Sequence, residues 1–249
     1  MKTFTPEKTL ERIWDVEEIK KLMSRRVYYI ANEWRNRELD ELWVSDPEFQ
    51  KTASLGRNTG WYVGMDAICS YYVDMHNAEL LRLSGGDERR FGRGVLCNHP
   101  ISTGLVREAE DGKTAKGMWY SIAQETVPNG DGTAAALWMP EKIAVDFLKE
   151  PDGWKIWHMV IANDLVCEAG ANNEKDPVYV DYSTDPVAVE FGTPTIPRLI
   201  HDQTFNWWDN YPPMPQPYET FTDDISYGPE GYRAPDTFQF GAKGGRNYK

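Results

Sequence analysis

Apolar side chains recur at helical spacing in two long segments of the chain. In residues 16–35 they fall three or four positions apart, at Ile19, Met23, Val27, Ile30 and Trp34. This spacing places them on one face of a helix, and residues 65–83 carry a comparable stripe. We therefore predict two long helices over these ranges, an earlier helix start at Thr5-Pro6 and a short helical turn at residues 38–43.

The middle of the chain changes to β-rich runs separated by turns that contain glycine. The runs predict strands at residues 94–99, 101–108, 114–127, 134–149 and 154–167. Turns such as Asp111-Gly112 favour hairpins, so we predict an antiparallel meander. Pro140 cannot donate to a strand ladder and predicts a bulge or kink. A short strand at residues 49–55 and a loop at residues 56–64 are predicted before the second helix.

Helices followed by a run of antiparallel strands indicate an α+β fold. A long bent sheet of this kind can curl around a helix and enclose a pocket, where a site is expected. We assign this domain to residues 1–167. Residues 168–249 hold many prolines and aromatic rings and little periodicity. We expect this long irregular extension to pack on the core or on a partner subunit.

Charge and composition narrow the classes of protein that fit. Lys and Arg number 27 and Asp and Glu number 39, which gives a net charge of −12. Such a chain repels phosphate backbones and anionic membrane surfaces, so we expect no nucleic-acid partner and no membrane partner. No apolar run is long enough to cross a bilayer, and the first residues lack a signal-peptide pattern, so we expect a cytoplasmic protein.

The sequence contains none of the common motifs for nucleotides or metals. There is no glycine-rich phosphate loop and no HExxH pair, and Cys69, Cys97 and Cys167 form no CxxC pair. We therefore expect no cofactor and no metal, and three buried thiols. The chain holds 10 Trp, 13 Tyr and 9 Phe. These rings fit either an aromatic core or a pocket for a flat phenolic ligand, and composition does not choose between them.

Four segments together resemble the SnoaL-like, or nuclear transport factor two-like, superfamily over about residues 14–167. They read DVEEIKKLMSRRVYYIANEWRNRELDELW, VGMDAICSYY, CNHPISTGLV with DGKTAKGMWYS, and PDGWKIWHMV. The resemblance implies a cone-shaped, curved antiparallel sheet around N-terminal helices. Members of the superfamily include dehydratases, isomerases, cyclases and binding proteins without activity. The extra length and the aromatic residues are similar to bacterial γ-formaldehyde lyases that process lignin-derived dimers.

The resemblance also implies catalytic residues. His99 matches the family's histidine at a strand start, and Tyr28 and Glu33 match its tyrosine and acid, although the family's acid is usually Asp. Glu33 would act as a base or orient His99. On an ideal helix Tyr29 lies closer than Tyr28 to the face of Glu33, so both tyrosines are candidates. Alternatively, His99 is a core histidine and Glu33 a surface ion-pair partner.

Further side chains are candidates for contact with a substrate. Trp61 and Tyr62 precede the second long helix, and Trp119 alternates with Tyr120, so only one of that pair can face a pocket. His158 is a second acid-base candidate, although a structural role fits it better. The complete set of predicted substrate-binding residues is Trp34, Trp61, Tyr62, Trp119, His158 and Asn163.

These features lead to one functional hypothesis and two alternatives. The hypothesis is a cofactor-independent lyase that eliminates water or formaldehyde from a hydrophobic phenolic substrate, such as a diarylpropane diol, and forms a stilbene. The alternatives are a dehydratase or isomerase of a steroid-like or polyketide-like ring, and a binding or assembly module without activity. We also expect a homo-oligomer, either a dimer or a trimer.

Overall fold

The computed structural model describes residues 4–129, 131, 133–170, 192–197 and 211–232. Its α-helices are α1 Pro6–Ala31, α2 Arg35–Leu42, α3 Pro47–Gln50, α4 Met65–Cys69 and α5 His76–Leu83. A π-helical turn, Ser70–Met75, joins α4 to α5, so the second predicted helix is continuous. The first helix begins at the earlier start signal, because the Thr5 side chain accepts a hydrogen bond from the Lys8 N–H.

Helix α1 ends earlier than its apolar pattern predicts. Glu33 has a φ of 57°, which is the left-handed region. The Glu33 N–H donates to Ile30 O and the Trp34 N–H donates to Tyr29 O. These two bonds form a Schellman cap, a role usually filled by glycine. The prediction that one helix extends to Arg35 is therefore wrong. The comparison of Tyr28 and Tyr29 with the helix face of Glu33 is wrong too, because Glu33 does not continue that helix.

The strands are β1 Ser54–Arg57, β2 Gly60–Val63, β3 Leu96–Asn98, β4 Ile101–Glu108, β5 Thr114–Pro128, β6 Ala134–Glu150, β7 Gly153–Asn163, β8 Cys167–Glu168 and β9 Ile196–Pro197. The spatial order is β3-β5-β6-β7-β1-β2-β9, with β4 also paired to β5 and β8 to β6. The predicted antiparallel meander is confirmed for β4 to β7. Strand β1 runs parallel to β7, however, so the sheet is not wholly antiparallel.

Two local predictions are wrong for identifiable reasons. Residues 49–55 are not one strand, because the Asp46 side chain caps Glu48 N–H and Pro47 starts helix α3. The predicted loop at residues 56–64 contributes to the hairpin β1–β2.

Pro140 causes no register shift against β5. Its carbonyl accepts the Asp164 N–H, and it lies where the neighbour of β6 changes from β7 to β8.

The two faces of the sheet are both covered. The inner face packs on α1 and on the helix formed by α4 and α5, with Ile143, Met159 and Ile161 in this core. On the outer face, Ala144 and Val160 pack against Tyr211 and Tyr227. Part of the extension, residues 211–232, thus lies on this chain's own sheet. Among the described residues, no helix combines the length and apolarity needed to cross a bilayer.

Candidate functional site

A cavity of about 320 Å³ lies between the inner face of the sheet and the helices. Its polar lining comprises Arg26, Arg35, Arg57, Asn58, Thr59, His76, His99, Glu125 and Asn163. Most of the remaining lining is aliphatic or sulfur-containing, and its aromatic rings are those of Tyr71 and Tyr72. The cavity is therefore an apolar chamber with a charged network, and aromatic rings form a small part of its lining.

His99 lies between two carboxylates. Its Nδ1 is 3.0 Å from Glu141 Oε1, and its Nε2 is 2.8 Å from Glu125 Oε1. Burial alone would lower the pKa of His99, but the two carboxylates outweigh it and raise the pKa to about 9. His99 is therefore an imidazolium at neutral pH, with each ring nitrogen donating to a carboxylate.

Glu141 holds His99 from the side away from the cavity, and Asn163 holds Glu141. Glu141 is buried, and its Oε2 accepts a hydrogen bond of 3.0 Å from Asn163 Nδ2. Asn163 Oδ1 in turn accepts a bond of 3.2 Å from Arg57 Nη2, which fixes the amide. Asn163, predicted as a substrate-binding residue, therefore lines the cavity and also orients Glu141.

Glu125 is the carboxylate that faces the cavity, and the sequence analysis missed it. Burial would raise the pKa of Glu125, but the hydrogen bond and charge of His99 lower it. An available signal was the alternation of β5, since Glu125 lies on the same strand face as Trp119, six residues on. That alternation does not identify Glu125 as a partner of His99, because their contact depends on the pairing of β3 with β5, which sets Cys97 opposite Glu125.

Glu33 is not the partner of His99. Its Oε2 lies 2.6 Å from His76 Nε2 and accepts a bond of 3.2 Å from Arg35 Nε. Burial would raise the pKa of Glu33, but His76 and Arg35 lower it to about 2. His76 is not among the candidates predicted from the sequence, yet it lines the cavity at the end of the π turn. π turns occur frequently at functional sites.

Two arginines connect the helices to the cavity wall. The Arg35 guanidinium lies 4.7 Å from the centroid of the Tyr72 ring, and its Nη2 is 3.7 Å from Cys97 Sγ. Arg26 Nε donates to Glu38 Oε1 at 3.0 Å, and the Tyr72 hydroxyl donates to Glu38 Oε2 at 2.7 Å. These contacts fix the orientation of Arg26 and Tyr72 and bury their polar atoms.

The tyrosines predicted on α1 do not reach the cavity. The Tyr28 side chain is 68% exposed, because it lies on the solvent face of the helix. Tyr29 is buried, but its hydroxyl donates to Glu41 at 2.6 Å and its ring contacts Trp34. Trp34 is exposed and does not line the cavity. The interpretation of these three residues as parts of a site is therefore wrong.

Four other candidates also lie outside the cavity lining. Trp61 packs in the core of the outer face, and Trp119 contacts Phe147 edge-on in the inner core. Tyr62 stacks on the cavity residue Tyr71 with ring centroids 4.0 Å apart, so it supports the wall from behind. His158 lies on the outer face, with its Nδ1 2.9 Å from Ser54 Oγ.

The arrangement can move a proton between two groups within the cavity. An imidazolium beside a carboxylate presents an acid and a base 2.8 Å apart, and both line the same apolar chamber. In the described residues, no group of three or more His, Cys, Asp or Glu side chains is placed to bind a metal ion. The chemistry that the side chains themselves offer is acid-base catalysis.

A family model described as a SnoaL-like domain matches residues 11–160. A solved NTF2-like protein with a cystatin-like fold from Novosphingobium aromaticivorans is 21% identical, with coverage of 63% of this chain and 86% of that one and a TM-score of 0.43. The hexachlorocyclohexane dehydrochlorinase LinA-type3 from Novosphingobium barchaimii is 11% identical, with coverage of 70% and 99% and a TM-score of 0.46.

No curated protein matches the chain. The family model, in contrast, spans more than half of it, from within α1 to within β7. It includes His99, Glu125 and Glu141, which form the charged centre of the cavity. The chain therefore belongs to the SnoaL-like family.

Proposed function

We propose that this protein is a cofactor-independent lyase that acts by acid-base chemistry on a phenolic substrate in the cavity. The observation that carries the proposal is the pair of His99 and Glu125, an acid and a base in contact within an apolar chamber. A histidine buried only for packing would not need a carboxylate on each ring nitrogen. The cavity is also not filled by side chains, as it would be in a purely structural domain.

The size of the cavity fits a substrate with two rings. An apolar cavity of about 150 Å³ holds one benzene molecule. The volume here, about 320 Å³, is roughly twice that and leaves room for a diaryl compound. A phenolic diarylpropane diol has the apolar rings and the hydroxyl groups that such a lining would complement.

The proposed reaction proceeds in two stages. His99 donates a proton to the benzylic hydroxyl, which leaves as water, while the phenol releases its proton to solvent and becomes a quinone methide. Glu125 then removes the proton of the hydroxymethyl group, formaldehyde leaves, the electrons of the broken C–C bond form the stilbene double bond, and the π electrons of the quinone methide return to the ring and its oxygen. That oxygen takes up a proton from solvent, and Glu125 returns its own proton to His99 across their hydrogen bond.

Glu125 takes the role of base that the sequence analysis gave to Glu33. Tyr28 and Tyr29 do not reach the cavity, so a tyrosine of the lining binds the substrate hydroxyl. The Tyr72 hydroxyl is bound to Glu38, which leaves Tyr71 for this role.

The test is product formation from a phenolic diarylpropane diol, followed by the ultraviolet band of a stilbene and by a formaldehyde assay. We expect turnover by the wild type and a loss of about 10²- to 10⁴-fold in kcat/KM for Glu125→Gln. The matched control is Glu48→Gln, which alters an exposed carboxylate paired with Lys51.

Each other outcome has a clear meaning. Loss of water without formaldehyde would show that the protein is a dehydratase. A rearranged product of equal mass would show that it is an isomerase. Binding of diaryl compounds without any turnover, in a folded wild-type protein, would show a binding module.

A further inference from the structure

The Arg35 guanidinium lines the cavity and has N–H donors without a hydrogen-bond partner among the described residues. A guanidinium has five N–H donors in a planar fork. Of the residues that the structure describes, its hydrogen-bond partners are Glu33 at Nε and Cys97 at Nη2. The second contact is weak, because a thiol sulfur is a poor acceptor. Nη1 therefore has no hydrogen-bond partner among the described residues. Its N–H groups suit an anionic oxygen.

The position of Arg35 is fixed by its surroundings. Its guanidinium stacks on Tyr72, whose hydroxyl is itself held by Glu38, and Glu33 holds Nε at 3.2 Å. The Arg35 side chain is 13% exposed. A stacked, preorganised arginine loses little entropy when it binds a further oxygen.

Two carboxylates and two neutral side chains lie close to this arginine. Glu33 and Glu125 act on Arg35 as negative groups, while Tyr72 and Cys97 remain neutral because burial raises the pKa of each. Arg26 is already bound to Glu38. Arg35 lines the same cavity, and among the described residues its Nη1 is bound to no carboxylate.

We propose that Arg35 is the phenolate anchor of the cavity, and that the substrate binds with an ionised phenol oxygen on its guanidinium. This inference rests on the proposed function and names the ionised form of its substrate. It also gives the phenol oxygen a role in the reaction, because a phenolate expels the benzylic hydroxyl more readily than a phenol does. Arg35 is thus a substrate-binding residue that favours formation of the quinone methide.

The test measures the ionisation of bound 4-nitrophenol, whose phenol and phenolate forms differ in absorption. With the protein in excess, we expect the bound probe to ionise at a pH about one unit lower than the free probe, a roughly tenfold preference for phenolate. Arg35→Met should abolish this preference, and Arg35→Lys should keep part of it. Arg37→Met is the matched control, since Arg37 is exposed and pairs with Glu41.

Thermal unfolding of each variant shows that it is folded before binding is compared. If 4-nitrophenol does not bind, or ionises equally in wild type and Arg35→Met, the anchor is wrong. The proposal also fails if Arg35→Met turns over the diaryl diol at the wild-type rate. An Arg35-dependent ionisation without any diol turnover would instead support the anchor and overturn the lyase reaction.

Discussion

The inner and outer faces of the sheet each bury a histidine, and the two are in opposite charge states. His99 contacts two carboxylates, which raise its pKa to about 9. For His158, burial lowers the pKa to about 4, with Asp146 opposing and Lys116 adding to the shift. In the part of the chain that the structure describes, the hydrogen-bond partner of its Nδ1 is the hydroxyl of Ser54.

The two faces differ in the groups that contact their buried carboxylates. On the outer face, Asp146 forms an ion pair with buried Lys116 and accepts bonds from Ser226 Oγ at 3.0 Å and Tyr227 N at 2.6 Å. Its charge therefore holds residues 211–232 on the sheet. On the inner face, the hydrogen-bond partner of Glu125 among the described residues is His99, and an open chamber lies beside it. A buried charge thus stabilises packing on one face and is available for chemistry on the other.

The sharpest test of this contrast compares the two histidines directly. His99→Gln should lower turnover of the diaryl diol by about 10²- to 10⁴-fold, because it removes the acid. His158→Gln should leave turnover within about threefold and lower the unfolding free energy by about 1 kcal/mol. Steady-state kinetics and chemical denaturation measure both effects. Equal losses of turnover in the two variants would abolish the distinction between the faces.

The second prediction concerns the outer-face carboxylate. Asp146→Ala should lower the free energy of unfolding by about 3–5 kcal/mol, because it leaves the Lys116 ammonium buried without its counter-ion. The control Asp152→Ala removes an exposed partner of Lys155 and should cost at most about 1 kcal/mol. Urea denaturation of both variants checks this. A similar small loss in both would mean that Lys116 reaches water once Asp146 is absent.

The third prediction is a pH profile of stability with two limbs. The pKa of His99 is raised in the fold, so its contribution is complete below about pH 6.5 and is lost as the pH rises to about 9. The pKa of His158 is lowered, so its contribution is complete above about pH 6.5 and is lost as the pH falls to about 4. Each limb corresponds to roughly 3 kcal/mol.

The two histidine variants separate these limbs. Denaturation across the pH range should lose the alkaline limb in His99→Gln and the acid limb in His158→Gln. An alkaline limb that persists in His99→Gln would assign it to another group and remove the evidence for a charged His99.

Much of the fold followed from periodicity. The helix over residues 65–83 and the strands β4 to β6 were predicted nearly to their ends, because apolar spacing and glycine turns are local signals. The strand predicted at residues 154–167 is β7 only as far as Asn163, and Cys167 belongs to β8. The end of α1 was not, since a glutamate rarely adopts the left-handed conformation of a helix cap. Tyr28 was wrong because it lies on the solvent face of α1, and Tyr29 was favoured on the assumption that one helix continues through Glu33.

The α+β order, the SnoaL-like resemblance and the choice of His99 as the first candidate followed from residue type and order along the chain. The groups that surround each histidine could be identified only from the folded structure. Glu125 and Glu141 come from two different strands, and Glu33 is 43 residues from His76. A pKa depends on distances between side chains and on their removal from water, and both are set when the sheet pairs and closes on the helices.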